Sequence, residues 1–249
     1  MSQRPLAAFA LLCALGLPAA AQTPTPAPTA SQAEQDYLAE LARVEAATAP
    51  QSLEPLLEKA EAVQGALMDI PADMGGEAVI ERYSEPEFSA LQARLRGIHL
   101  QRGMEIFVQP LPAFFSALAA AHGRPADQAY FALYQAYWGE QLFPVYMQPR
   151  ALVVGCVKYG DGLLNRLYGD WLRYAKTYPE AYRASVQQML KDFEEVFALG
   201  TCACGDRAGV VRELQQFSRE HPRSPAAPAA TQRWRELKAH TEKLPVSCG

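Results

Sequence analysis

The sequence predicts an all-α fold, a bundle of about eight helices stapled by disulfides. Three observations carry that expectation. Apolar residues recur at helical spacing from Ser31 to Phe217, and strand-like runs are too few and scattered for a sizeable sheet. Four cysteines remain once an N-terminal export segment is set aside, an even count that reads as two bridges.

The export segment opens on Arg4, continues as an apolar run from Leu6 to Leu17, and ends in Pro18-Ala19-Ala20-Ala21. Charged, apolar and small segments in that order form a secretory signal, with cleavage expected after Ala21. Cys13 leaves with it, and Ala10-Leu11-Leu12 lacks the small residue that lipid attachment to a cysteine needs at the preceding position. Residues 1–21 are thus expected to be a signal peptide, and the mature chain to be periplasmic or secreted. No later apolar stretch approaches the ~20 residues of a membrane-spanning helix, so the mature chain is expected to have no transmembrane segment. Residues 22–30 form a Pro/Thr-rich linker, since proline without periodic apolar residues builds no core. Residues 31–249 then read as a single helical domain.

Its elements follow in order. Ser31 and Glu34 have capping-box spacing, and Tyr37, Leu38, Leu41 and Val44 recur behind them. Ser52 opens a second helix with Leu53, Leu56, Leu57, Ala60, Val63 and Leu67 on one side; Pro50 separates the pair, which predicts a hairpin. Asp69 to Gly76 is a loop. Ser84-Glu85-Pro86-Glu87 is a second capping box ahead of Phe88, Leu91 and Leu95. Met104 to Val108 suits a short strand or a continuing helix. Phe114 to His122 is a short apolar helix ended by Gly123, and Ala126 to Phe143 an aromatic-rich helix stopped near Pro144. Leu152 to Val157 suits a buried strand or a buried helix. Helices are expected over Leu163 to Lys176, from Thr177 and Pro179 through Phe197, after an Asp206 cap, and around Trp234 and Leu237 behind a Pro/Ala/Ser segment from Pro222 to Ala230.

Charge divides the chain. The stretch from Gln22 to Pro149 carries 16 acidic and 7 basic residues, whereas Arg150 to Gly249 carries 11 and 15. This distribution argues against a nucleic-acid partner and fits two halves that complement one another.

Cys156, Cys202, Cys204 and Cys248 are the expected disulfide residues. Cys202 and Cys204 are too close to pair with each other comfortably, so each bonds either Cys156 or Cys248. Loops of roughly 45 residues or more are closed either way, worth about 4 kcal/mol each in the chain-entropy model. A bridge at Cys248 would tether the C-terminal helix. The Cys202-Ala203-Cys204 pair also admits a thiol-redox or metal-handling reading. His99, His122, His221 and His240 show no zinc or haem spacing, and no metal or cofactor is expected.

The remaining site candidates are aromatic and acidic. Tyr130, Tyr134, Tyr137 and Gln141 share one helical face, with Phe131, Trp138 and Leu142 beside them. Tyrosine favours positions with one wet end, which makes Tyr130, Tyr134, Tyr137 and Trp138 the candidate binding residues. The Gly160-Asp161-Gly162 segment lacks the residues of a phosphate loop, so its glycines are expected to permit close approach. Asp161, Asp170 and Glu140 are the candidate carboxylates for glycoside hydrolysis. The expectation that follows is an exported envelope binding protein, of inhibitor, immunity or assembly-factor type, holding a protein or amphipathic ligand on its aromatic face. A carboxylate-dependent hydrolase and a thiol-redox or metal-handling protein are the alternatives.

Overall fold

Helices begin where the apolar periodicity begins. The computed structural model describes residues 32–71, 76–103, 105–139, 143–149, 155–199, 203–239 and 246. The signal segment, the linker, Ser31, Glu140, Gln141, Leu142, Cys202, His240 and Cys248 lie outside them. Helices α1 (Gln32–Glu45) and α2 (Glu54–Met68) pack together through Tyr37, Leu41 and Val44 against Leu56, Leu57, Ala60 and Val63, all buried. A 3-10 turn (Val79–Arg82) leads to α3 (Glu85–Arg94), whose capping box is present: the Ser84 N–H and hydroxyl both donate to Glu87, at 2.8 and 2.7 Å.

Of the ambiguous Met104–Val108 stretch, Phe107 and Val108 open a strand, and Met104 lies outside the described residues. β1 (Ile98–Gln101) pairs antiparallel with β2 (Phe107–Pro110), Ile98 facing Pro110, and their alternating burial turns one face to the core. Helices α4 (Pro112–His122) and α5 (Pro125–Trp138) follow, each with proline in its first turn. β3 (Met147–Pro149) pairs antiparallel with β4 (Gly155–Val157). Four helices complete the described chain: α6 (Leu163–Thr177), α7 (Arg183–Ala198), α8 (Arg207–Glu220) and α9 (Ala227–Ala239). The fold is thus mostly helical with two small hairpins, and it has nine α-helices among the described residues where about eight were expected. None of them is long and apolar enough to cross a membrane.

Three boundaries differ from the sequence reading. Helix α5 stops at Gly139, not near Pro144, because Gly139 takes a left-handed φ of +61° that terminates the helix. Helix α7 starts at Arg183 rather than Thr177, behind Tyr182, itself left-handed at φ +52°. Helix α9 begins at Ala227, inside the expected Pro/Ala/Ser segment, with Pro228 in its first turn where a missing N–H costs no bond.

The staple also needs correction. One disulfide, Cys156–Cys204, stands among the described residues, so they do not show a bundle stapled by several. Beside it, Cys204 N–H donates to Val157 O at 2.9 Å and Ala203 N–H donates to Val246 O at 2.7 Å. The bridge therefore pins the start of α8 to β4.

An aromatic core runs through both halves. Tyr182 stacks on Tyr130 with centroids 3.8 Å apart, and Tyr130 meets Trp171, Tyr134 and Tyr174. Further along, Phe197 stacks on Phe217 at 3.8 Å and Tyr168 meets both edge-on. Burying each such ring contributes roughly 1.5–3 kcal/mol, and the pair geometry about 0.5–1.5 more.

Two buried carboxylates hold these packages in register. Asp127 accepts the Leu53 N–H at 2.8 Å, the Tyr182 hydroxyl at 2.7 Å and the Arg124 N–H at 2.9 Å. Glu213 accepts the N–H groups of Gly160 and Gly162 at 2.8 and 2.9 Å and the Asn165 amide at 2.7 Å. Gly160 is required there: a Cβ would lie 2.8 Å from the Gly209 backbone, and its φ is +101°. The glycine-rich segment is the close-approach point that the sequence suggests.

Candidate functional site

Helix α5 presents Tyr130, Tyr134 and Trp138 at a spacing of four, on the side facing α7 and the end of β2. A groove of about 470 Å³ opens over them. Its walls are Glu61 and Gln64 of α2, Gln109 and Pro110 of β2, and Ser185, Met189 and Asp192 of α7. Tyr130 and Tyr134 are 1% and 6% exposed, so the groove meets their edges and not open ring faces. Ser185 and Gln109 lower the pKa of the Tyr130 and Tyr134 phenols respectively, a smaller effect than burial. Burial raises both phenols above their ordinary range, with the Glu61 charge adding to the shift, so both remain neutral hydrogen-bonding groups.

The charge of the groove has one sign. Glu61 and Asp192 line it, and no lysine or arginine does. Desolvation, with the neighbouring Glu58 second, holds the Glu61 carboxyl above its usual range, although the residue as a whole is exposed. Asp192 is half-buried and accepts from Gln188 at 2.7 Å. Trp138 is half-buried, with Met189 and Pro110 supplying further apolar lining. Beneath the floor, Tyr182 holds its left-handed backbone through its stack on Tyr130 and its bond to Asp127. A bulky residue in that region is costly and marks a place where surrounding contacts over-determine the backbone.

Not all of the sequence-derived candidates meet here. Tyr130, Tyr134 and Trp138 do. Tyr137 turns away: its hydroxyl faces that of Tyr146 at 3.2 Å, its ring packs on Phe193, and burial raises its pKa. The three tyrosines therefore form core with two hydroxyl edges at a groove, not an open aromatic face.

The carboxylate candidates stand apart. Asp161 accepts the Leu163 N–H at 2.9 Å ahead of α6, and Asp170 pairs with Arg173 further along that helix. Asp161 sits ahead of α6 and Asp170 about two turns along it, and each is engaged in a local contact of its own. Glu140 lies outside the described residues. Cys156 is fully buried within its bridge, and Asp206, not Cys204, caps α8 by accepting the Gly209 N–H at 2.7 Å. Cys202 and Cys248 lie outside the described residues, and among those described no cluster of three metal-ligating side chains occurs.

Glu61, Gln64, Ser185, Met189 and Asp192 are the groove residues that sequence reasoning missed. A signal existed. Ser185, Gln188, Met189 and Asp192 fall at i, i+3, i+4 and i+7, a second stripe beside the core stripe of Val186, Phe193 and Phe197. Glu61 likewise adjoins Ala60 on the buried edge of α2.

No family model, curated protein or solved structure matches the chain.

Proposed function

We propose that this chain is an exported binding protein of the cell envelope whose groove holds an amphipathic ligand. The ligand has an apolar body and a cationic end. One observation carries the reading: a groove of about 470 Å³ combines Tyr130, Tyr134, Trp138 and Met189 with two carboxylates and no basic side chain. Concave, partly apolar sites with a few convergent polar groups are the usual form of small-ligand sites. An ammonium or guanidinium end gains from Glu61 and Asp192 and from the phenol oxygens, while an anion meets only repulsion. Export rests on the signal segment and on the Cys156–Cys204 bridge, which suits an oxidising compartment. Intact mass of the exported chain, expected to start at Gln22, checks that part.

The groove is tested by calorimetric titration with 4-phenylbutylamine, 4-phenylbutanol and 4-phenylbutyrate, three probes with one body and different charge. The amine is expected to bind best and the carboxylate least. Glu61→Gln and Asp192→Asn are each expected to weaken the amine by about two- to fivefold, the worth of a solvent-facing charge pair. Equal affinity for the three probes contradicts the cationic end, and no binding of any contradicts the groove.

A further inference from the structure

A second recess, of about 540 Å³, opens between the Gly160-Asp161-Gly162 segment and the outer face of α8. Arg166, Arg212 and Arg219 line it. Seven other arginines of the described chain hold a carboxylate: Arg94 holds Glu34 at 2.8 Å, Arg96 holds Glu45 at 2.6 Å, and the remaining five are partnered in the same way. Arg166, Arg212 and Arg219 hold none, and their side chains make no hydrogen bond among the described residues. Arg212 and Arg219 stand seven residues apart on α8, hence on one face, and Arg166 approaches from α6.

The two carboxylates in the lining each already accept a hydrogen bond. Asp161 accepts the Leu163 N–H at 2.9 Å, and Glu220 accepts from the Gln216 amide at 3.1 Å. The Gly160 and Gly162 N–H groups are occupied by Glu213 from below. Recognition therefore falls to side chains, three guanidinium forks with the Gln215 amide beside them.

We infer that this recess binds a compact oxyanion of the phosphate-ester class. Guanidinium forks match phosphate oxygens two at a time, and such charge-assisted bonds are roughly twice as strong as neutral ones. Asp161 and Glu220 offset much of the positive charge, so a single carboxylate gains little, whereas a phosphate monoester at about −1.5 to −2 gains with all three arginines. The site is independent of the groove, sharing no residue with it.

The test is calorimetric titration of the full mature chain with sodium pyrophosphate and with sodium acetate at matched ionic strength. Pyrophosphate is expected to bind and acetate not. Arg166→Gln, Arg212→Gln and Arg219→Gln are each expected to weaken pyrophosphate about tenfold or more. Arg183→Gln removes one positive charge from the surface of α7, where Arg183 pairs with Glu180 at 3.8 Å, and is expected to leave binding unchanged. Glycerol 3-phosphate and phosphatidic acid vesicles distinguish the source: tighter binding to the former supports a soluble ester, and to the latter a lipid headgroup. No binding of pyrophosphate, or binding that the three recess replacements affect no more than Arg183→Gln does, overturns the inference.

Discussion

The groove over α5 and the recess over α8 are built alike and charged oppositely. Under the groove, Asp127 collects the Tyr182 hydroxyl and the N–H groups of Leu53 and Arg124. Under the recess, Glu213 collects Gly160, Gly162 and Asn165. Each carboxylate is buried, at 0% and 1% exposure, and each ties a loop to a helix directly below an open site. What differs is the layer above: aromatic edges with Glu61 and Asp192 in one case, three arginines without carboxylate partners in the other. The groove draws Glu61 from the acidic half and Asp192 from the basic half, whereas Arg166, Arg212 and Arg219 of the recess all belong to the basic half.

The largest expected effect comes from removing a foundation. Asp127→Ala and Glu213→Ala each strand several buried donors and are expected to cost about 3–5 kcal/mol, read by urea denaturation. Asp127→Ala should also weaken 4-phenylbutylamine while sparing pyrophosphate, and Glu213→Ala should do the reverse. Equal loss of both ligands in both variants would break the comparison, since sites without shared partners should not couple.

The bridge comes next. Cys156→Ser is expected to cost about 2–4 kcal/mol and to loosen the α8 side first, because the bridge anchors β4 to the start of that helix. Hydrogen exchange should rise around Val157 and Ala203 before it rises around Tyr130. Among the described residues, Val246 O accepts the Ala203 N–H beside the Cys156–Cys204 bridge. The even cysteine count makes Cys202 and Cys248 the pair left for a second bridge, in which case oxidised mature protein should label with no thiol reagent; one or two labelled cysteines would exclude it.

Helix capping, proline at first turns and apolar periodicity made most of the fold legible. Ser84 with Glu87 and Asp206 with Gly209 are sequence-local, and both caps stand where their spacing placed them. The hubs were not legible. Asp127 lies 74 residues from Leu53 and 55 from Tyr182, and nothing local marks it as more than a first-turn acid. The same holds for Glu34, buried beneath the Tyr83 hydroxyl at 3.3 Å and Arg94 at 2.8 Å. For the site, Tyr130, Tyr134 and Trp138 could be read because one helix carries them. Glu61 and Asp192 could not, since only tertiary packing brings α2 and α7 to that face. Tyr137 was misplaced because helical spacing gives a face but not the depth at which that face is covered.

A smaller effect concerns pH at the groove. Burial and Glu58 raise the Glu61 carboxyl, so in the free protein its charge opposes the fold: that cost is absent below the ordinary carboxylate pKa, grows as pH rises from there to the raised value and is constant above it. A bound cation favours the ionised form. Amine affinity should climb as pH rises through that raised pKa and level off above it, and Glu61→Gln should flatten the profile and slightly raise Tm.

The central claim, a ligand seated beside Trp138, is open to one direct measurement. The chain has three tryptophans, Trp138, Trp171 and Trp234, and so three indole N–H resonances, assigned by single Trp→Phe variants. Trp138 lines the groove, Trp171 is fully buried beneath Tyr130, and Trp234 lies on α9. Titration with 4-phenylbutylamine should move the Trp138 resonance most, Trp171 less, and Trp234 not at all. A saturating shift at Trp234, or none at Trp138 while calorimetry reports binding, would contradict the account.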